Sequence, residues 1–168
     1  MEELRTLNTT LTLFIKGNKI LLGEKKRGFA KGTLNGIGGK QDPGETITYA
    51  MIRECEEEIG VTPKDFEQVG MIYFNLWYKG EHVNMVMSIY KCYEYLGNIK
   101  ETEEILPKWF DIDSIPFDRM LADDLLWLPQ VLNGNKIIGK VNFDENMKML
   151  YHNIKTIENF DENFMENL

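Results

Sequence analysis

The sequence predicts an α/β fold, and three observations support this. Runs of β-branched, aromatic and aliphatic residues occur in pairs around short turns, which is typical of antiparallel hairpins. Two other stretches, over 45–59 and 123–132, have the composition and end signals of helices. The chain has 168 residues, of which 43% are apolar, so we expect one domain over 1–168 with a full-sized core.

The first predicted element is a hairpin. Residues 9–15 and 19–23 are strand-like and flank the turn residues Gly17 and Asn18. A basic, glycine-containing loop over 25–32 follows and is the densest positive patch of the chain. A solvated loop is the simplest interpretation of this patch.

The first predicted helix covers residues 45–59. Gly44 or Asp42 can cap its beginning, and Gly60 ends it. The later elements are a second antiparallel pair, an acidic loop, a short strand, a second helix that ends at Asn133-Gly134, and a closing hairpin. The antiparallel pair covers 66–77 and 83–93, the acidic loop 101–104, and the short strand 109–110. The second helix covers 123–132, and the closing hairpin covers 137–143 and 147–157.

Composition excludes several classes of protein. A net charge of −8 and a pI near 4.9 argue against a duplex nucleic-acid binder, which needs a broad basic surface. No run approaches the roughly 18 apolar residues of a membrane span, and the first residues lack a signal-peptide pattern. Cys55 and Cys92 are isolated, which favours a reducing compartment. We therefore expect a cytoplasmic protein without nucleic-acid or membrane partners; no pattern indicates an oligomeric state.

The far end of the first helix carries an unusual group of carboxylates. Glu54, Glu57 and Glu58 fall within an arc of roughly 100° on a helical projection, beside the apolar face. This helix end disfavours negative charge because of the macrodipole, so the carboxylates weaken the helix. Like charges at a half-buried edge repel one another or recruit a cation, and hard oxygen ligands suit Mg²⁺ or Mn²⁺. A solvated acidic face is the alternative.

The spacing of these residues resembles the Nudix box, Gx5Ex7REUxEExGU, where U is a bulky apolar residue. Gly39 is followed by five residues and Glu45, then by seven residues and Arg53-Glu54, and the match continues to Val61. Every glycine and charged position agrees, and Cys55 takes the first apolar position. The box covers residues 39–61, and an acidic tail covers 158–168.

The resemblance to the Nudix family implies both a fold and a reaction. It implies an α/β/α sandwich with a mixed β-sheet between helices, and hydrolysis of a nucleoside diphosphate linked to another group. Carried over by position, Glu54, Glu57 and Glu58 are the metal-ligand and base candidates, and Glu45 and Arg53 form an ion pair. The resemblance adds two metal-ligand candidates, the Gly38 carbonyl and Glu104, and implies Mg²⁺ with Mn²⁺ as an alternative.

Segments outside the box resemble the MutT homologues of animals, which hydrolyse oxidised purine nucleoside triphosphates to monophosphate and pyrophosphate. By this resemblance Asn35, Asp123 and Asp124 contact the base, although helix N-capping is an alternative for the Asp pair. The other substrate-binding candidates are pocket-lining or phosphate-contacting residues: Thr10, Lys25, Phe29, Ile37, Gly38, Gly39, Lys40 and Phe74. A small-molecule nucleotide is the expected ligand.

One departure leaves the substrate open. Leu121 stands where the relatives have a tryptophan that stacks on the base, and leucine lacks that aromatic surface. One alternative is therefore a Nudix pyrophosphatase for a nucleotide sugar, a dinucleoside polyphosphate or an ordinary dNTP. A non-catalytic nucleotide-binding module is the other, although the chain keeps every carboxylate of the box.

Overall fold

A computed structural model describes residues 3–160, so most of the predicted acidic tail, 161–168, lies outside the described residues. Its strands are β1 (Thr6–Lys16), β2 (Lys19–Lys25), β3 (Leu34–Asn35), β4 (Thr62–Tyr78), β5 (Glu81–Leu96), β6 (Ile105–Asp111), β7 (Lys136–Phe143) and β8 (Met149–Ile157). The helices are α1 (Ile47–Ile59) and α2 (Asp124–Leu132). Neither helix is long and apolar enough to cross a membrane, within the part of the chain that is described.

The strands form one mixed sheet in the order β3-β2-β1-β5-β4-β7-β8, and β6 pairs with β2. The contacts β1–β5 and β4–β7 are parallel, and the remaining pairs are antiparallel. All three predicted hairpins are confirmed: β1–β2, β4–β5 and β7–β8. The fold class predicted from the sequence is therefore confirmed.

Strand β6 is longer than its sequence suggests. The prediction covered only Trp109 and Phe110, whereas the strand pairs with β2 from Lys19↔Asp111 to Lys25↔Ile105. Strand pairing uses backbone groups, so a well-placed neighbour extends a strand through residues with little β-propensity of their own.

Two hydrophobic clusters cover the two faces of the sheet. Because successive side chains of a strand point to opposite faces, Leu13 belongs to one cluster and Phe14 to the other. Helix α1 contributes Met51, Cys55 and Ile59 to the cluster that contains Phe14. Helix α2 contributes Trp127, Leu128 and Val131 to the other cluster. The sheet thus lies between the two helices, as the resemblance implies.

The N-terminal cap of α1 differs from the prediction. Thr46, rather than Gly44 or Asp42, is the capping residue, and its hydroxyl accepts a hydrogen bond from the Tyr49 backbone N–H at 3.1 Å. Gly44 has a φ of 85°, in the left-handed region, so the chain still turns there before the helix begins. The predicted stop is confirmed, since Gly60 adopts a left-handed conformation with a φ of 77°.

Candidate active site

The segment 37–41 brings Gly38 and Gly39 against β1 and α1. The Thr10 backbone N–H donates to the Gly39 carbonyl at 2.9 Å. A Cβ on residue 38 would lie 1.8 Å from the Thr10 carbonyl oxygen, and one on residue 39 would lie 2.4 Å from Cδ of Glu54. Only glycine permits this approach, which sets the segment directly beside the acidic end of α1.

Arg53 is the centre of the hydrogen bonds within the box. Its guanidinium donates to both carboxylate oxygens of Glu45, at 2.6 and 2.9 Å, and to the Lys40 carbonyl at 3.0 Å. It also donates to Glu54 at 3.0 Å and to Glu57 at 3.1 Å. The predicted Glu45–Arg53 ion pair is therefore present, and the Arg53 hydrogen bonds lower the pKa of Glu45. One cation thus joins the loop to the helix and contacts three carboxylates of the box, Glu45, Glu54 and Glu57.

Two carboxylates of α1 are desolvated at the site. Burial, together with the nearby charge of Glu54, raises the pKa of Glu58 to about 8. Burial also raises the pKa of Glu54, although its hydrogen bond to Arg53 opposes the shift. The Gly38 backbone N–H donates to Glu58 at 3.4 Å. Two desolvated carboxylates four residues apart on one helix, as Glu54 and Glu58 are, favour a bound cation.

A cavity of about 410 Å³ joins these carboxylates to the other predicted residues. The predicted residues that line it are Thr10, Lys25, Phe29, Asn35, Gly38, Gly39, Lys40, Glu54, Glu58, Phe74, Glu104, Leu121, Asp123 and Asp124. Ile37 lies instead in the core beneath α1 and is fully buried. The Glu57 side chain is 59% exposed and is held by Arg53. The roles of these residues stay predictions.

The structure adds cavity residues that the sequence analysis missed. From β4 come Leu76 and Tyr78, and Lys79 follows them in the turn. Alternation along the strand from Phe74 could have identified Leu76 and Tyr78, because every second residue faces the same side. Phe143 and Met147 reach the cavity from the β7–β8 hairpin, where no local pattern announces a site.

Asp123 and Asp124 are both buried, with relative exposures of 2% and 3%. The indole N–H of the buried Trp127 donates to Oδ2 of Asp123 at 2.8 Å. Asp123 stands at the N-cap position of α2 without a side-chain capping bond, so N-capping does not explain it. Among the described residues, Oδ1 of Asp123 and Oδ2 of Asp124 have no hydrogen-bond partner. Such groups are costly unless a ligand satisfies them.

The Asp pair also resists ionisation. Burial raises the pKa of Asp123, and burial together with the charge of Asp123 raises the pKa of Asp124 well above its usual range. Because the two carboxyls titrate together, the pair retains a proton at a pH where exposed aspartates have lost theirs. One member can then donate a hydrogen bond while the other accepts one.

We expect the variant Asp124→Asn to be more stable than the parent protein at pH 7.5. A carboxyl whose pKa is raised by folding stabilises the fold only while protonated, and this contribution is lost as pH rises from the unfolded pKa through the folded one. Asparagine stays neutral, so the variant avoids this loss of stability at pH 7.5.

Thermal unfolding between pH 4 and pH 8 measures this effect. The advantage of Asp124→Asn shrinks toward pH 4, and Asp118→Asn, a change at an exposed aspartate, serves as the control. A melting temperature of Asp124→Asn at or below that of the parent at pH 7.5 would contradict the expectation.

The donor chemistry of the site fits a hard divalent cation, although the side chains are not preassembled around one. Within residues 3–160, no three or more His, Cys, Asp or Glu side chains are arranged to hold a metal ion. Arg53 engages Glu54 and Glu57, and Arg27 contacts Glu104 at 3.1 Å. The carboxylate oxygens are of the type that Mg²⁺ and Mn²⁺ prefer, so ion binding requires these side chains to exchange guanidinium contacts for metal contacts.

Comparison with known proteins identifies relatives over most of the chain. Over 149 residues the chain is 40% identical to an oxidized purine nucleoside triphosphate hydrolase of Danio rerio, covering 89% of this chain and 94% of that protein. It is 36% identical over 151 residues to the Mus musculus protein of the same name, covering 90% and 96% of the two chains.

Solved structures share the fold. A MutT protein from Bacillus halodurans superposes with a TM-score of 0.78 at 24% identity, covering 89% of this chain and 97% of that one. A MutT NUDIX hydrolase from Burkholderia pseudomallei gives a TM-score of 0.64 and covers 76% of this chain and 98% of its own. The sequence profile of the NUDIX domain matches residues 5–131. On the box, the fold and these relatives, the chain belongs to the NUDIX domain family.

Proposed function

We propose that this protein hydrolyses oxidised purine nucleoside triphosphates to the monophosphate and pyrophosphate. One observation carries the proposal. A single cavity has buried, unpartnered oxygens of Asp123 and Asp124 on one part of its wall and the carboxylates Glu54 and Glu58 on another. The first pair suits recognition of a base, and the second suits a metal-bound polyphosphate. The names of the Danio rerio and Mus musculus relatives support the same reaction.

The Asp pair and Asn35 can recognise an oxidised purine. The pairing edge of an oxidised guanine offers N–H donors and a carbonyl acceptor. A shared proton lets the Asp pair accept one hydrogen bond and donate another. Oδ1 of Asn35 already accepts from the Gly36 backbone N–H at 3.0 Å, which leaves its amino group to donate to the base. The hydrogen bond from Trp127 restrains Asp123.

The other part of the cavity suits phosphate chemistry. A divalent ion, Mg²⁺ or alternatively Mn²⁺, would be held by Glu54, Glu57, Glu58, Glu104 and the Gly38 carbonyl. When bound, it supplies charge neutralisation for the polyphosphate and lowers the pKa of a water molecule. A carboxylate of α1 accepts a proton from the attacking water at its oxygen atom. Lys25 and Lys40 line the cavity and would contact the phosphates.

A hydrolysis panel with Mg²⁺ tests the proposal. We expect kcat/KM for 8-oxo-dGTP or 2-oxo-dATP to exceed that for dGTP, dATP and ADP-ribose by about ten-fold or more, since unpaired polar groups in the site penalise the wrong base. Equal or lower turnover of the oxidised substrates would refute oxidised purine specificity. Loss of turnover on removal of divalent ions, restored by Mg²⁺, tests the metal dependence separately.

We propose a cytoplasmic location, where the nucleotide pool supplies such substrates. The two cysteines, Cys55 and Cys92, are both buried and free. Structural disulfides are rare in reducing compartments, so free cysteines agree with this location.

Leu121 favours a second candidate, a pyrophosphatase for an ordinary dNTP or another nucleotide. Its side chain lines the cavity close in sequence to the Asp pair, and it covers a base by dispersion without aromatic stacking. A weaker base contact leaves more of the binding energy to the phosphates, which all nucleotides share.

We expect Leu121→Trp to raise the preference for the oxidised purine by about five-fold, since an aromatic pair adds roughly 1 kcal/mol beyond its buried area. The measurement is kcat/KM for 8-oxo-dGTP divided by kcat/KM for dGTP. Leu125→Trp, a change at an exposed leucine of α2, is the matched control. An unchanged ratio would show that residue 121 has no part in base selection.

A further inference from the structure

The turn between β4 and β5 carries an unexpected lysine. Lys79 and Gly80 connect the two strands, with φ values of 51° and 80°. Two-residue hairpin turns with both φ values positive favour Asn-Gly, because most side chains are strained in this region. Lys79 therefore occupies a position where asparagine would be the more stable choice, and it also lines the cavity. Strain of this kind at a ligand cavity suggests a functional role.

Tyr78 holds two lysines at this edge of the cavity. The Nζ atom of Lys79 lies 5.3 Å from the centre of the Tyr78 ring, and Nζ of Lys40 lies 5.4 Å from it. The ring of Phe29 packs against Tyr78 with a centroid distance of 5.3 Å. Ammonium groups within about 6 Å of an aromatic ring are attracted to its face, so Tyr78 restrains two otherwise flexible side chains.

Tyr78 and Lys79 also lie close to the acidic end of α1. A smaller side cavity of about 210 Å³ is lined by Lys79, Tyr78, Lys25 and Arg27 together with Glu58 and Glu104. Asp123 and Asp124 line the main cavity, as Lys79 also does, but not this side cavity. Lys79 thus shares the side cavity with Glu58 and Glu104, on the part of the site that we propose for the phosphates.

The lysines that line the cavity differ in their charged neighbours. Within residues 3–160, Lys40 and Lys79 form no salt bridge, whereas Lys19 and Lys26 do, and Lys25 interacts electrostatically with Glu58. The chain as a whole has a net charge of −8. Lys40 and Lys79 are thus two ammonium groups without a salt bridge beside the Tyr78 ring, in an acidic protein, and they favour an anionic ligand there.

We propose that Lys79 binds the terminal phosphates of the substrate and that Tyr78 positions it for this contact. The inference rests on the proposed hydrolysis of a nucleoside triphosphate and deepens it, since it adds a phosphate contact supplied by the β4–β5 turn. Because Lys79 contacts phosphate, it sets affinity for the triphosphate and leaves the choice of base unchanged.

The variant Lys79→Asn gives a sharp test. It removes the charge and installs the Asn-Gly pair that this turn favours, so thermal stability stays equal or rises. We expect KM for 8-oxo-dGTP to increase by about ten-fold and kcat to change by less than about two-fold, since the lost contact binds ground state and transition state alike. The ratio of kcat/KM between oxidised and ordinary dGTP stays unchanged.

Two matched variants complete the kinetic test. Lys79→Arg keeps the charge and the strained turn, and its KM stays within about three-fold of the parent value. Lys16→Asn removes the same charge beside the β1–β2 turn, at a residue that does not line the cavity, and leaves KM unchanged. The dependence of KM on salt becomes weaker in Lys79→Asn alone, because an attraction between opposite charges is lost.

Tyr78→Leu tests the positioning role. If Tyr78 acts through Lys79, the fold-increase in KM of the double variant Tyr78→Leu with Lys79→Asn is smaller than the product of the fold-increases of the two single variants. A fold-increase equal to that product overturns the positioning role. Equal KM values for Lys79→Asn and Lys16→Asn in an active enzyme overturn the phosphate contact while the proposed function stands. If the parent protein hydrolyses none of the nucleoside triphosphates, the proposed function fails. Direct binding of inorganic pyrophosphate to the parent and to Lys79→Asn then still tests the phosphate contact.

Discussion

Replacement of Glu58 by glutamine is expected to lower kcat/KM for the triphosphate substrate by about a thousand-fold or more. Glu58 is buried against Gly38, in the cavity that Glu54 and Glu104 also line. An amide keeps the shape of the side chain but not its charge, so it weakens both metal binding and proton acceptance, and single groups of this kind contribute several orders of magnitude.

The fold is expected to survive this change. A buried carboxylate beside another one destabilises the protein without a metal, so Glu58→Gln melts no lower than the parent in metal-free buffer. The rise in melting temperature on addition of Mg²⁺ is smaller in the variant, because the ion loses a ligand. Glu56→Gln, at an exposed position on the same helix, is the matched control and retains activity. Preserved turnover of Glu58→Gln would remove Glu58 from the proposed metal and catalytic set.

Replacement of Arg53 by methionine is expected to lower the melting temperature by about 10 °C. The guanidinium satisfies Glu45, Glu54, Glu57 and the Lys40 carbonyl, and its side chain is only 19% exposed. Removing one partner of a partly buried ion pair leaves the other charges unpaired, which costs more than the pair itself contributes. The loop 37–41 also loses its connection to α1, so activity falls together with stability.

Arg5 provides a matched control for this experiment. It forms a two-bond ion pair with Glu81, at 3.1 and 3.0 Å, but its side chain is 56% exposed. Because exposed pairs contribute little, Arg5→Met shifts the melting temperature by less than about 3 °C. Similar shifts for Arg5→Met and Arg53→Met would show that Arg53 is an ordinary surface charge rather than the centre of the box.

The local elements could be predicted because their signals are local. Gly17-Asn18 marks the first hairpin, and Gly60 ends α1. The beginning of α1 was harder, because Asp42, Gly44 and Thr46 are all acceptable near a helix N-terminus and the choice depends on where the loop is anchored. The extent of β6 was likewise set by its neighbour β2 and not by its own residues.

The candidate site was predicted in part. The Nudix box and the resemblance to the animal MutT homologues predicted most of the cavity residues, including Asn35, Asp123 and Asp124. The hydrogen bond from Trp127 to Asp123 and the contact of Lys79 with Tyr78 were not predicted. Both depend on distances between side chains, and a sequence pattern alone does not reveal those distances.

By itself the sequence determined the family, the α/β class and the order of the main elements, because these follow from spacing and periodicity along the chain. Only the tertiary structure decided which residues share one cavity, how Arg53 distributes its contacts and which buried oxygens lack a partner. Burial and neighbouring charge are properties of the packed chain, so the raised pKa values of Glu58 and of the Asp pair arise only on folding.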